Sequence, residues 1–270
     1  MLGAIIGDIV GSRFEWHNIK TKDFELFTSQ CSLTDDSIMS LAVAKAILAC
    51  QNDYSNLGEQ AVRFMQEIGR LYPDCGYGGM FRQWMFTDSP KPYNSFGNGA
   101  AMRVSACGFA ASTLDEATAL AKMVTEVTHN HPEGLKGAEA TAACIFLARQ
   151  GMGNNELREY INDIYYQTNF TLNEIREHYT FDVTCQGTVP QAIMAFLEST
   201  GFEDAIRNAI SIGGDSDTLA AITGGIAEAC YGIPDEIKNR AQTFLDARLL
   251  PILLDFEKAF PPKMAQNLKG

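Results

Sequence analysis

Apolar positions recur at three- and four-residue spacing along most of the chain, the periodicity of helices rather than strands. In the stretch 37–50, Ile38, Leu41, Val43, Ala44, Ile47 and Leu48 follow that spacing. The same pattern predicts helices over 57–71, 114–128, 132–149, 188–199, 202–212, 215–230 and 234–256. Asp115 and Glu116 give one of them an acidic first turn, which suits the helix dipole. Pro132 stands at the first helical position that proline favours. Strand candidates are short, at 24–27 and 181–183. Gly3, Gly7 and Gly11 recur every four residues and make a smooth ridge on a helix. Ala100, Ala101, Ala106, Ala110 and Ala111 do likewise, and such ridges let helices approach closely. No Ser/Pro linker, low-complexity tract or fixed-period repeat interrupts the pattern. It predicts one compact, mostly α domain over residues 1–260, with a frayed tail over 261–270.

Composition narrows the function classes. At 46% apolar residues, the chain has ample material for a core and lacks the signature of disorder. A net charge of −12 repels a phosphate backbone and an anionic lipid surface, which argues against non-specific binding to either. No stretch approaches the about 18–20 apolar residues of a membrane span. The apolar N-terminal run has no basic start and is interrupted by Asp8, unlike a signal peptide. The seven cysteines form no CxxC pair, so they read as free thiols of a cytoplasmic protein, not as a zinc site or disulfide frame.

The chemistry-bearing residues cluster at helix starts. Thr34-Asp35-Asp36-Ser37 and Asp215-Ser216-Asp217-Thr218 each put two aspartates and a threonine at the start of an apolar helix. First-turn side chains lean toward the helix N-terminus, so both groups project beyond their helix ends. Either segment alone is explained by capping. Together they form a set of hard oxygen ligands that suits Mg²⁺ or Mn²⁺, provided the two segments meet. Two glycine-rich stretches follow a different logic. Gly76-Tyr77-Gly78-Gly79 and Ser95-Phe96-Gly97-Asn98-Gly99 precede helices, where backbone amides reach an anion. The alternative is two ordinary turns. Phe96, a large apolar residue inside a turn, is either a stacking platform for a base or an inward-tucked staple. His129-Asn130-His131 places two of the four histidines ahead of a helix, as donors to a ligand oxygen or as caps. Glu15 is one more acid near an early helix end.

In their order along the chain, these pieces resemble the ADP-ribosylglycohydrolase family. The resemblance rests on Gly3-Ala4-Ile5-Ile6-Gly7-Asp8 through Glu15, Thr34-Asp35-Asp36, Gly76-Tyr77-Gly78, the stretch 97–103, His129-Asn130-His131-Pro132 and Gly214-Asp215-Ser216-Asp217-Thr218. It implies an all-α orthogonal multi-helix bundle with two Mg²⁺ (or Mn²⁺) ions and hydrolysis of the glycosidic bond of ADP-ribose on an acceptor. The implied metal ligands are Thr34, Asp35 and Asp36 from one side and Asp215, Asp217 and Thr218 from the other. Glu15, Asp35 and Asp36 are the implied catalytic acids. Gly76, Tyr77, Gly78, Ser95, Gly97, Asn98, Gly99 and His131 match the segments that hold the diphosphate. Phe96 stands where some members place an aromatic against adenine. The implied partner is an ADP-ribosylated protein or a small ADP-ribosyl substrate. Ser95 departs from the aspartate of the nitrogenase-linked type and looks closer to the ADP-ribosyl-serine hydrolases. A non-catalytic binding or structural relative, or a Mg²⁺-dependent hydrolase of another ribosyl substrate, remains the alternative.

Overall fold

In the computed structural model, which describes residues 1–261, every regular element is helical. The tail expected to fray lies, apart from Pro261, outside the described residues. In chain order the α-helices are α1 (Leu2–Gly11), α2 (Asp35–Ala49), α3 (Leu57–Gly69), α4 (Gly79–Phe86), α5 (Gly99–Met102), α6 (Ser105–Ala110), α7 (Leu114–Thr125) and α8 (Pro132–Arg149). They continue as α9 (Asn154–Ile164), α10 (Leu172–Ile175), α11 (Cys185–Leu197), α12 (Phe202–Ser211), α13 (Ser216–Tyr231), α14 (Asp235–Gln242) and α15 (Leu249–Ala259).

The glycine ridge sets the centre of the molecule. All ten residues of α1 are buried, and its main partner is α13. A β-carbon at Gly3 would collide with the Gly224 carbonyl, and one at Gly7 with the Ala220 carbonyl. One at Gly11 would lie 2.5 Å from the Asp217 Cα. Partners that descend from 224 to 217 as α1 ascends mean that the helices run antiparallel. Ile5, Ile6 and Ile9 fill the space around this seam, each burial stabilising by about 1.5–3 kcal/mol. α8, α11 and α12 pack on α13, while α3 and α15 pack on α2. The seam brings the Asp8 turn of α1 beside the first turn of α13.

Helix ends follow local chemistry. Thr34 caps α2 by accepting from the Asp36 N–H at 3.3 Å, and Thr113 caps α7 by accepting from the Glu116 N–H at 3.1 Å. The predicted helix over 234–256 is instead two, α14 and α15. Pro251 explains the break: it lacks an N–H and its ring clashes with the preceding turn, so a helix must restart just before it. Asp246 supplies the start, accepting from the Arg248 and Leu249 N–H groups at 2.8 and 3.0 Å.

Neither strand candidate is a strand. At 24–27, the Phe24 carbonyl accepts from the Arg207 guanidinium at 2.7 Å and the Glu25 carbonyl accepts from Arg13, so side chains satisfy this backbone where a neighbouring strand would. The stretch 181–183 runs extended into one antiparallel bridge between Gly97 and Thr184. All seven cysteines are free; Cys75 and Cys230 are half-buried and the others buried. Among the described residues, no helix is long and apolar enough to cross a membrane.

Candidate active site

The starts of α2 and α13 do meet. Thr218 of α13 donates its hydroxyl to Asp36 Oδ2 of α2 at 3.3 Å, across a sequence separation of 182. Asp215, Asp217 and Glu15 each offer a carboxylate oxygen within 4.8 Å of the others. Asp35, Asp36 and Thr218 join them in the wall of one cavity of about 370 Å³.

The local backbone explains the convergence. Gly213 and Gly214 both take left-handed conformations, with φ of +70° and +78°, and turn the chain sharply into α13. A β-carbon at Gly214 would also strike the Tyr179 ring. Asn18 ties this turn to the Glu15 loop: its Nδ2 donates to the Gly214 carbonyl at 2.8 Å and to the Glu15 carbonyl at 3.0 Å, and its Oδ1 accepts from the Gly214 N–H at 2.7 Å. Glu15 is thereby held against Asp215. On the α2 side the organiser is Asp8, with no exposed surface. Its carboxylate accepts from the Thr34 N–H at 3.0 Å, the Thr34 hydroxyl at 2.6 Å, the Ser37 N–H at 3.1 Å and the Ser37 hydroxyl. α1 thus caps α2 from outside.

Crowded carboxylates repel one another, and burial penalises their charge. Burial first, then Asp215 and Asp8, push Glu15 up to about 7. Burial, Asp8 and Asp215 push Asp35 up to about 8. Asp36 and Asp217 are driven well above the ordinary carboxylate range, by burial and then by neighbouring aspartates. Among the described residues, no basic side chain forms an ion pair with any of them. Asp36 Oδ1 is buried and has no hydrogen-bond partner. A buried anionic cluster with an unsatisfied oxygen has the charge and donor chemistry of a divalent-cation site.

The opposite wall is different in character. Gly76, Gly78, Ser95, Gly97, Asn98 and Gly99 line it, with His129 and Arg103 behind them. His129 Nε2 would lie 3.4 Å from a β-carbon at Gly99 and 3.6 Å from one at Gly97. Arg103 is 1% exposed, forms no ion pair and donates to the Thr128 hydroxyl at 2.6 Å; that hydroxyl also bonds His129 Nδ1 at 2.8 Å. Burial lowers Arg103 only to about 10, so the guanidinium stays charged; burial of its own ring, and then the Arg103 charge, hold His129 well below its ordinary value. The cavity lining therefore combines buried carboxylates with the Arg103 cation and the His129 ring.

Several expected site residues also have partners within the protein. Thr34 turns its hydroxyl to Asp8 and helps to shape α2. His131 caps α8, its Nδ1 accepting from the Glu133 N–H at 3.1 Å. Phe96 packs against His131 with the ring planes tilted by 56° and centroids 5.1 Å apart, outside the cavity lining. Tyr77 is buried in a stack with Phe81. Asn98 lines the cavity, but its amide donates to Asp215 Oδ2 at 2.7 Å and to the Thr188 hydroxyl at 3.1 Å, so it orients a carboxylate. Asn18 and the cavity-lining aromatic Trp16 were not singled out from sequence; Asp8 and Arg103 stood inside quoted motifs without a role, and His129 was weighed with His131 as a ligand donor or a cap but was not among the implied site residues. A buried acid in an apolar helix needs partners, which is the one signal that pointed to Asp8.

An all-α scaffold that gathers buried carboxylates, a buried arginine and a histidine around one small-molecule-sized cleft defines a class of helical small-molecule binding sites. Comparison with known proteins makes the class specific. Residues 1–260 match the profile of the ADP-ribosylglycohydrolase family, and the chain belongs to that family. It is similar to the ADP-ribosylhydrolase ARH3 of Homo sapiens, at 26% identity over 93% of this chain and 90% of that protein. It is also similar to the ADP-ribosyl-[dinitrogen reductase] glycohydrolase of Rhodospirillum rubrum, at 26% identity over 87% of this chain and 85% of that one. A solved ADP-ribosylglycohydrolase-related protein complex shares the fold, with a TM-score of 0.68 and 22% identity over 96% of this chain and 95% of that chain.

Proposed function

We propose that the protein is a hydrolase that releases ADP-ribose from an acceptor, with divalent cations held by the carboxylate end of the cavity. The observation that carries this reading is the meeting of Asp36 and Thr218 around an unpartnered, buried carboxylate oxygen. Asp36, Asp215, Asp217, Thr218, Asp35 and Glu15 offer oxygen donors of the type that Mg²⁺ or Mn²⁺ prefers. Bound there, such cations would neutralise the cluster and supply Lewis acidity and water activation.

The chain's own residues do the rest. The His129 ring beside Gly97 and Gly99 would meet the diphosphate, with Arg103 as fixed positive charge behind it, while the Gly97 and Asn98 N–H groups hold the turn itself by donating to the Ser95 hydroxyl and the Val183 carbonyl. That remote binding energy positions the reacting ribose among the carboxylates. Glu15 is only half-buried at the cavity lip, so solvent water reaches it and its carboxylate can serve as the general base. Water oxygen bonds to the anomeric carbon as the bond from that carbon to the acceptor breaks and charge develops on the ribose ring; the water's proton passes to the Glu15 carboxylate, and the acceptor ends with the proton that Glu15 then gives up.

The test is ADP-ribose release from ADP-ribosyl peptides, with Mg²⁺ and with EDTA, by wild type and Asp217→Ala. Release that needs Mg²⁺ and vanishes in a folded Asp217→Ala protein is expected. Undiminished release by that variant, or by wild type in EDTA, overturns the cation-dependent mechanism.

A further inference from the structure

His129 is buried in the cavity wall, and its two ring nitrogens meet different surroundings. Nε2 points at the turn that carries Gly97 and Gly99, 3.4 Å from where a β-carbon at Gly99 would stand. Among the described residues it has no hydrogen-bond partner, so it is the nitrogen left for a ligand. Nδ1 points the other way, to the Thr128 hydroxyl at 2.8 Å. The backbone holds the ring in this pose. The His129 N–H donates to the Thr125 carbonyl at 2.9 Å, and the Thr128 carbonyl accepts from the Tyr93 N–H at 3.1 Å. The Tyr93 ring packs against the imidazole, with centroids 5.7 Å apart and planes 58° from parallel.

A neutral imidazole carries its proton on one nitrogen, and the other nitrogen is then an acceptor. Only one of the two forms can donate through Nε2 to an anionic oxygen. Among the described residues, no carboxylate forms an ion pair with the ring, and burial and the Arg103 charge both oppose a second proton on it. The form that the ring adopts is therefore set by what meets Nδ1.

A count of protons around Thr128 decides which form that is. Thr128 Oγ1 accepts from Arg103 Nη2 at 2.6 Å, and a guanidinium can only donate. The hydroxyl has one proton to give and two places to send it: His129 Nδ1 at 2.8 Å, or the Thr125 carbonyl at 3.3 Å. That carbonyl already accepts from the Thr128 and His129 N–H groups, at 3.1 and 2.9 Å, which occupy both of its lone pairs. A proton sent there would leave Nδ1–H to donate into an oxygen that already takes the guanidinium. Sent to Nδ1, it gives each group one good partner, guanidinium to hydroxyl and hydroxyl to imidazole. The Arg103 charge also polarises the hydroxyl and strengthens it as a donor.

We propose that Thr128 is a positioning residue that holds neutral His129 in its Nε2–H form, so that the ring donates into the cavity to an anionic oxygen of the ligand. That the ligand is the diphosphate of ADP-ribose rests on the hydrolase reading above. The chain from Arg103 through Thr128 to His129 delivers the influence of a buried charge as a hydrogen bond, with no charged imidazole.

The experiment reads the two ring nitrogens of His129 by two-bond proton–nitrogen NMR on protein carrying isotopically labelled histidine, near neutral pH. The signals are assigned by their loss in His129→Gln. In ligand-free wild type, Nε2 is expected to carry the proton and Nδ1 to be bare. Thr128→Val keeps the shape and removes the hydroxyl. It should lose that preference and raise both Kd for free ADP-ribose and KM for an ADP-ribosyl peptide about tenfold, the scale of one hydrogen bond to a charged group. Thr128→Ser keeps the hydroxyl and should keep the Nε2–H signature and the wild-type Kd. A wild-type ring protonated on Nδ1 or on both nitrogens overturns the proposal. So does a Thr128→Ser protein that lacks Nε2–H, or a folded Thr128→Val protein that retains Nε2–H and the wild-type Kd. If Thr128→Val does not fold, the wild-type and Thr128→Ser spectra decide. A wild type with the Nε2–H ring that neither binds nor releases ADP-ribose overturns the hydrolase reading instead, a separate and recognisable result.

Discussion

Gly7 of α1 faces the carbonyl of Ala220 in α13 at a separation that leaves no room for a β-carbon. The same contact line runs from Gly3 against Gly224 to Gly11 against Asp217. It sets the distance between Asp8, which shapes the start of α2, and Asp217 at the start of α13. Gly7→Ala must push the helices apart or distort the seam. We expect it to cost about 1–3 kcal/mol or more, as overpacking does. Urea unfolding at constant m-value measures this. A variant as stable as wild type would mean that the seam has slack.

The two neighbouring histidines have separate duties. His131→Ala should lose a cap worth about 1 kcal/mol while leaving KM near its wild-type value. His129→Ala should raise KM for an ADP-ribosyl substrate by about 10–100-fold, the scale of a hydrogen bond to a charged ligand group. Thermal melts and steady-state kinetics on both variants separate the roles, and the opposite pattern would reassign them.

Without a cation, the carboxylate cluster makes stability depend on pH. Glu15 is raised from 4.5 to about 7 and Asp35 from 3.8 to about 8, chiefly by burial. Both bind protons more tightly folded than unfolded. Their contribution is therefore present in full below about pH 4 and is lost as pH rises through about 7 and about 8. In EDTA, the melting temperature should fall between pH 5 and pH 8. Saturating Mg²⁺ should flatten that fall, because the cation replaces the protons. At about 100 times its Kd it would add about 2.7 kcal/mol, a rise of roughly 5–10 °C. A melting temperature that climbs with pH in EDTA would contradict the mutual repulsion of these acids.

The helices and their apposition were legible because their causes are local. The ridge of Gly3, Gly7 and Gly11, the capping threonines and Pro132 each act within a turn or two of chain. The aspartates of α2 and α13 were legible because two similar segments stood at two helix starts. The break between α14 and α15 was signalled by Pro251 but masked by the apolar residues on either side. The failed strand at 24–27 shows a different limit: its backbone partners are the distant Arg13 and Arg207 side chains, which no local pattern reveals. Asn18 and Trp16 were hidden for the same reason. They lie in a loop without periodicity, and their places at the site exist only because Gly214 and Phe181 fold against them. His131 and Thr34 have the right chemistry for ligand contact, yet the cap at their own helix takes it up.

The meeting of Asp36 with Thr218 also has a consequence during synthesis. One half of the reaction centre is made near the beginning of translation and the other only after Thr218 has left the ribosome. An unfinished chain can form α1 and α2, but it holds a half-built cluster with no partner for Asp36. Long-range closures of this kind come late in folding. Catalytic competence would then appear abruptly, as a sign that the polypeptide is nearly complete, and a truncated product of a stalled ribosome would be inert toward modified proteins around it.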